Sequence, residues 1–241
     1  LHFPMIMKAL KAGKNVFCEK PLCITKKELS SIKNFFLKTS KQVIVTGFNR
    51  RFSSATEIMK KFIEDQNDPV FLNYTVNADQ LDKRSWVYTK EGGGRNIGEA
   101  CHFYDLILYL IGEKYVEVNA NAMFDKKKSK SNKTDNFFVQ IKFSNGSIAQ
   151  INYSTAGAKP SYKELIEIRG LNKTLINKDF KQIKILENGK EKILYSISKP
   201  DKGYLNQYDS FFRALKKGKS SIPLQDQINA MNICFLVEDQ I

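Results

Sequence analysis

The sequence of 241 residues lacks any long apolar run, and this lack excludes a predicted membrane span. Its longest strongly apolar stretch covers residues 105–112, far short of the roughly 20 residues that cross a bilayer. The first apolar residues alternate with lysines instead of following a basic start, so we expect no secretion signal. Apolar residues make up 42% of the chain and charged residues 27%, which predicts a globular protein and excludes intrinsic disorder.

Cysteine is also scarce, and the four cysteines match neither a zinc motif nor a disulfide framework. Cys18 and Cys23 are close in sequence, but no histidine or further cysteine lies nearby to complete a tetrahedral metal site. Two small buried residues near a strand end explain the pair better. We therefore expect no metal, and reduced thiols in a cytoplasmic protein.

Acidic residues are few, with 25 Asp and Glu against 39 Lys and Arg, which gives a net charge of +14. Such an excess can mark a nucleic-acid-binding protein. Here the lysines are spread along the whole chain, and the one dense run, residues 125–133, has no aromatic residues to stack on bases. The run is typical of a solvated hairpin loop. We expect no nucleic-acid partner, and the positive charge is better explained by the binding of anionic small molecules.

The first 48 residues alternate between helix and strand patterns. Helix 3–12 is followed by strand 15–18, a helix that begins at Thr25, and strand 42–46. Thr25 and Glu28 form a capping box at the start of the second helix. Short apolar strands alternating with helices are typical of a parallel α/β sheet. Two strands cannot stand alone, Leu1 is not methionine and the last helix has no end signal, so we expect a piece of a longer protein.

From about residue 50 the pattern changes to successive strands, which predicts an α+β domain on a large, mostly antiparallel open sheet with flanking helices. Asn-Gly pairs at 145–146 and 188–189 predict hairpins. The strands alternate apolar and polar residues, so one sheet face is solvated or forms an interface. The predicted helices are 54–65, 96–111, 204–217 and 225–241, and the predicted strands are 70–76, 115–124, 135–143, 147–155, 163–169, 181–186 and 191–197.

Three places in the sequence carry residues suited to chemistry. Glu19-Lys20-Pro21 follows an apolar strand, where open α/β sheets bind ligands, although on local grounds a surface lysine is the simpler interpretation of Lys20. The segment 47–52 contains the basic pair Arg50 and Arg51, which can bind a phosphate or carboxylate or form a salt-bridged domain junction.

The third place is the glycine-rich segment 91–95 and the helix that follows it. Three glycines allow a close approach of backbone and ligand. His102 is one of 2 histidines and lies in apolar company, with Glu99 and Asp105 three residues to either side and able to orient its ring. A core histidine hydrogen-bonded to a neighbour is the simpler interpretation of this helix on local grounds.

Together these motifs, in this order and spacing, strongly resemble the glucose–fructose oxidoreductase/inositol dehydrogenase (Gfo/Idh/MocA) family. The resemblance covers essentially the whole chain and is closest to bacterial members associated with surface-polysaccharide metabolism. The motifs that carry it are His2, Ala12-Gly-Lys14, Cys18-Glu-Lys-Pro-Leu22, Gly47-Phe-Asn-Arg-Arg-Phe52, Gly92-Gly-Gly-Arg-x3-Glu-Ala-Cys-His-x2-Asp105, Lys202-Gly-Tyr204 and Ile222-Pro-Leu224.

The resemblance implies an oxidoreductase that transfers hydride between NAD or NADP and a hydroxyl of a sugar, sugar nucleotide or polyol. Residues 1–48 would be part of a Rossmann domain, and residues 49–241 a substrate-binding domain whose sheet joins the chain into a homo-oligomer. Lys20 and His102 would transfer protons with help from Glu99. The implied cofactor contacts are His2, Glu19, Pro21 and Arg50, and the implied substrate contacts are Gly93, Gly94, Arg95 and Asp105.

Two departures from the family pattern matter. Many members have an aspartate four residues before the histidine, where this chain has Gly98, and Glu99 either replaces it or does not. The Gly-x-Gly-x-x-Gly fingerprint is not in this chain, so we expect weak dinucleotide binding by these 241 residues alone. The alternatives are a non-catalytic binding or oligomerising module, and a redox-assisted elimination or hydrolysis of glycosides.

Overall fold

The computed structural model describes residues 2–39, 42–66, 68–123, 134–158 and 162–241. The predicted hairpin loop at 125–133 lies outside the described residues. Within the described ranges, every helix is too short or too polar to cross a bilayer.

The amino-terminal unit is a small parallel α/β structure, as the sequence predicts. It contains helix α1 (His2–Lys11), strand β1 (Val16–Cys18), helix α2 (Lys26–Thr39) and strand β2 (Ile44–Thr46). The two strands pair in parallel, with Phe17 opposite Val45. The predicted capping box is present, since Glu28 Oε2 accepts a hydrogen bond from Thr25 N and Glu28 N donates to Thr25 Oγ1, each at 3.2 Å.

The second unit is built on an eight-stranded sheet, which confirms the predicted fold class. Its strands lie in the order β10-β9-β8-β7-β3-β6-β5-β4, and all neighbours are antiparallel except the parallel pair β3 and β6. The strands are β3 (Phe71–Asn77), β4 (Tyr115–Ala122), β5 (Asn136–Phe143), β6 (Ile148–Ser154), β7 (Glu164–Gly170), β8 (Lys173–Lys178), β9 (Gln182–Glu187) and β10 (Lys190–Ser196).

Helices cover one face of this sheet and leave the other face open. Tyr74 of β3, Ile151 of β6 and Ile166 of β7 lie side by side on the covered face and are fully buried. The opposite face has partly exposed residues such as Asn73 and Gln150, and the expected oligomer contact on it stays a prediction. The helices are α3 (Ser54–Gln66), α4 (Cys101–Ile111), α5 (Tyr204–Lys217) and α6 (Leu224–Glu238).

The sequence prediction missed strand β8. Residues 171–172 form the tight turn from β7 into β8, and both Leu171 and Asn172 have positive φ, at 43° and 60°. Such a turn normally contains glycine, and leucine in its first position gives no turn signal. The predicted helix 96–111 is also divided, because Asn96–Ala100 forms a π-helical turn ahead of α4. The last helix ends at Glu238 and not at 241.

Buried polar side chains connect the two units. Gln227 of α6 accepts hydrogen bonds from Thr46 N and Oγ1 and donates to the carbonyls of Ile44 and Ile222, so its whole amide is used. Arg51 donates to both carboxylate oxygens of Asp105 in α4. A polar group buried without partners is costly, and these pairings therefore fix how β2, α4 and α6 pack.

The turn at residues 49–52 and the start of α5 approach each other through Gly203. Its φ is +79°, and a Cβ added there would lie 2.5 Å from Ser53 N and 2.6 Å from Asn49 O. Gly218, at the other end of α5, has a φ of +62° but open space around it. Both glycines have a left-handed backbone conformation, but only Gly203 lies close to other backbone atoms. A comparison of the two therefore separates the effect of the close contact from the effect of the positive φ.

We expect Gly203→Ala to lower the free energy of unfolding by about 3 kcal/mol or more, from backbone overlap added to the left-handed φ. Gly218→Ala should lose about 1 kcal/mol, from the left-handed φ alone. Denaturant unfolding monitored by circular dichroism measures both. Equal losses in the two variants would show that the close approach at Gly203 contributes nothing.

Candidate functional site

A cavity of about 610 Å³ lies at the carboxyl end of β1, where the glycine-rich loop and the start of α5 meet it. This is the position at which open α/β sheets bind ligands. Most of the predicted site residues line it, namely His2, Lys20, Pro21, Arg50, Arg95, Glu99 and His102.

Lys20 connects two of the three predicted motifs. Its Nζ donates a hydrogen bond of 2.7 Å to the carbonyl oxygen of Gly98, in the π turn before α4. A Cβ at Gly98 would lie 2.9 Å from the carbonyl oxygen of Gly92, so a side chain there would push the turn away from the glycine-rich loop. The glycine at the position of the missing aspartate thus allows a close backbone contact, and its carbonyl is the acceptor of the lysine.

His102 faces the cavity from the first turn of α4 and is 7% exposed. Within the described residues its Nδ1 has no hydrogen-bond partner, which gives no support to the predicted orientation of its ring by Glu99 or Asp105. Burial, followed by the nearby positive charges of Arg50 and Lys20, lowers the pKa of His102 well below its usual value. The imidazole is therefore neutral at neutral pH.

Glu99 has three partners other than His102. It accepts hydrogen bonds from Lys163 Nζ and Tyr153 OH, each at 2.6 Å, and from Arg95 Nη1 at 3.1 Å. Burial would raise the pKa of Glu99, but these partners outweigh it and hold the pKa at about 2. A carboxylate that stays ionised and fully engaged anchors the cavity wall, and its geometry does not favour the predicted role in proton transfer.

Asp105 lies behind the cavity wall, in the ion pair with Arg51, whose Nη2 is 2.6 Å from Asp105 Oδ1. Its predicted contact with substrate does not fit this position, because both carboxylate oxygens are engaged with Arg51. Three other predicted residues are also absent from the cavity lining: Glu19, Gly93 and Gly94. The two glycines have φ values of +72° and +74° and shape the loop, while Gly92 lines the cavity.

The sequence prediction missed the residue that holds Arg50. Glu164, fully buried in β7, accepts hydrogen bonds from Arg50 Nε and Nη2 at 2.8 and 2.7 Å and from Lys202 Nζ at 2.6 Å. The hydroxyl of Tyr74 donates to the same carboxylate. Burial would raise the pKa of Glu164, but Arg50 and Lys202 outweigh it and hold the pKa far below its usual value. The sequence pattern could have revealed it, since Glu164 lies on the same inward face of the strand as Ile166 and Ile168, where an acidic residue needs a buried partner.

We expect Glu164→Gln to lower the free energy of unfolding by about 3–5 kcal/mol, because an amide leaves the buried guanidinium of Arg50 without a counter-charge and leaves Lys202 with only Asp179, at 3.7 Å. The matched control is Glu187→Gln, which breaks the half-exposed pair of Glu187 with Lys173 and should cost less than about 1 kcal/mol. Guanidinium unfolding curves compare the two. If Glu164→Gln lowers the free energy of unfolding no more than the control does, the buried ion cluster around Glu164 is contradicted.

Glu99 makes stability depend on pH in a defined window. Its pKa is about 2 when folded and 4.5 ordinarily, so its contribution is complete above pH 4.5 and is lost as the pH falls towards 2. Unfolding curves between these pH values should show the gap between wild type and Glu99→Gln closing as the pH falls. Glu57→Gln, at an exposed glutamate of α3, should leave the pH profile of stability unchanged. A pH-independent gap for Glu99→Gln would contradict the lowered pKa.

Comparison with protein families agrees with the fold. Residues 70–227 match the C-terminal alpha/beta domain of the GFO_IDH_MocA oxidoreductase family, and residues 1–47 match the NAD-binding Rossmann fold of the same family. The predicted boundary between residues 48 and 49 stays a prediction.

Curated relatives include two sugar-alcohol dehydrogenases. The chain is 25% identical over 230 residues to myo-inositol 2-dehydrogenase of Thermotoga maritima, covering 90% of this chain and 67% of the relative. It is also 25% identical over 230 residues to inositol 2-dehydrogenase of Rhizobium meliloti, covering 92% of this chain and 69% of the relative.

Among solved structures, levoglucosan dehydrogenase in complex with NADH and levoglucosan has a similar fold. The TM-score is 0.85 at 22% identity, with 100% of this chain and 75% of the other covered. UDP-N-acetylglucosamine 3-dehydrogenase from Acidithiobacillus ferrooxidans gives a TM-score of 0.81 at 16% identity, with 100% and 74% covered. These likenesses show the fold, and the two family matches show that the chain belongs to the Gfo/Idh/MocA family of oxidoreductases.

Proposed function

We propose that the chain acts in an NAD(P)-dependent dehydrogenase that oxidises a hydroxyl of a sugar, sugar nucleotide or polyol. The observation that carries this proposal is the convergence of Lys20 and His102 on one cavity at the carboxyl end of β1. The relatives named as inositol and levoglucosan dehydrogenases support the substrate class.

The residues of the cavity fit the reactive end of a dinucleotide. A volume of about 610 Å³ is within the range of small-molecule sites, and the unpartnered Nδ1 of His102 is a buried polar atom that a ligand can satisfy. His2, Lys20 and Pro21 would hold the nicotinamide side, whereas the glycine fingerprint for a pyrophosphate does not occur in these 241 residues. When bound, the nicotinamide supplies the acceptor or donor of hydride.

Oxidation of a hydroxyl releases a proton, and His102 is suited to take it. Its neutral imidazole can accept a proton at neutral pH, and its lowered pKa makes the imidazolium short-lived, so the proton passes on readily. Lys20, fixed on the carbonyl of Gly98, places a positive charge at the hydroxyl oxygen as that oxygen becomes more negative. Glu99 is a positioning residue that holds Lys163 and Arg95 on the same wall.

We expect Lys20→Met to lower kcat by at least about 100-fold, because the positive charge and a proton-transfer partner are both lost. NADH formation from NAD⁺ with myo-inositol or levoglucosan, followed by absorbance in a protein that joins this chain to a glycine fingerprint, measures the rate. Lys14→Met removes an exposed lysine ahead of β1 and should leave kcat unchanged. Full turnover in Lys20→Met would refute the role of the lysine, and no turnover by that joined wild-type protein with any ring polyol would refute the proposed function.

A further inference from the structure

Trp86 is the single tryptophan of the sequence, and its side chain is largely exposed at the cavity. It is 69% exposed, although a tryptophan normally buries most of its large apolar surface. We propose that the indole ring of Trp86 is the surface on which the C–H face of the substrate ring stacks. The inference rests on the proposed function, because it identifies the substrate surface of the same cavity.

The backbone under the indole is held firmly. Trp86 begins the 3₁₀ turn Trp86–Tyr88, and its carbonyl accepts a hydrogen bond of 2.7 Å from Thr89 Oγ1. Tyr88 OH donates to Asp135 at 2.6 Å, which ties the turn to the residue ahead of β5. A Cβ at Gly92 would lie 2.2 Å from the carbonyl oxygen of Trp86, so the glycine-rich loop packs directly on this backbone. The ring is therefore presented to the cavity by a fixed support and needs little ordering on binding.

Polar, nitrogen-bearing side chains line another part of the cavity. Lys20, His102, Lys163 and Lys202 supply nitrogen atoms suited to hydroxyl oxygens. A six-membered polyhydroxylated ring has an apolar C–H face and a polar hydroxyl edge, and it can satisfy both kinds of wall at once. The electron-rich face of an indole attracts such C–H groups, and covering it removes apolar area from water.

Substrates with a continuous C–H face are therefore preferred over open-chain polyols of the same polarity. An open chain can form the same hydroxyl contacts but presents no flat face to the indole. A nicotinamide or a nucleobase could also stack on an indole, and these flat rings are the competing occupants that the experiment has to exclude.

Because Trp86 is the only tryptophan, intrinsic fluorescence reports on this one position in the full chain. The probes are myo-inositol and levoglucosan as ring polyols, glycerol as an open-chain polyol, and nicotinamide mononucleotide and uridine monophosphate as competing flat rings. We expect a saturable change with the ring polyols and none with glycerol at equal concentration. A response to the mononucleotides alone, or to none of the probes, overturns the proposal.

Calorimetric titration of the variants gives the second measurement. Trp86→Ala should weaken binding of the ring polyol by about tenfold to 100-fold, and Trp86→Phe, which keeps a stacking face, by about threefold. Leu81→Ala removes a partly exposed apolar side chain of the same loop outside the cavity lining and should leave the Kd unchanged. Unchanged binding in Trp86→Ala overturns the proposal.

The failure of this inference is distinguishable from failure of the proposed function. Ring polyols that bind through Trp86 without any reduction of NAD⁺ support the stacking surface and contradict the dehydrogenase. Turnover with the KM of wild type in Trp86→Ala supports the dehydrogenase and contradicts the stacking surface.

Discussion

The buried carboxylate of Glu164 is the constraint on which the rest of the site depends. It neutralises Arg50 from the turn after β2 and Lys202 from the segment before α5, so three distant parts of the chain meet at one charge. Removing an ion from water costs several kcal/mol, and the cluster persists because each cation finds its partner at hydrogen-bond distance. The cavity wall is consequently a fixed electrostatic surface and not a set of independent side chains.

A second carboxylate, Glu99 in the π turn ahead of α4, plays the corresponding part with Lys163 and Arg95. Within the described residues His102 has no acidic hydrogen-bond partner, and burial followed by nearby positive charges lowers its pKa. Both carboxylates add to this effect indirectly, since they hold some of those cations in place. The division of labour explains how an Asp–His pair can be absent while a base remains available.

Local signals in the sequence were enough to predict the fold class and the capping box of α2. The joint role of Lys20 and His102 followed from the resemblance to the family and not from local signals. Strand β8 was missed because Leu171 adopts a positive φ without glycine. Glu164 and Trp86 were missed because their importance lies in long-range partners and in exposure, which neighbours in sequence do not encode. Asp105 was misassigned because helical spacing to His102 says nothing about Arg51, which comes from another part of the chain.

The hydrogen bond from Lys20 to the carbonyl of Gly98 gives the lysine a main-chain acceptor. A main-chain carbonyl oxygen does not titrate, and every amino acid type has one. It moves only when the whole π turn moves. The anchor of the lysine is therefore linked mechanically to the helix that carries the histidine. A side chain at residue 98 would act on the lysine by displacing the turn and not by removing the acceptor atom.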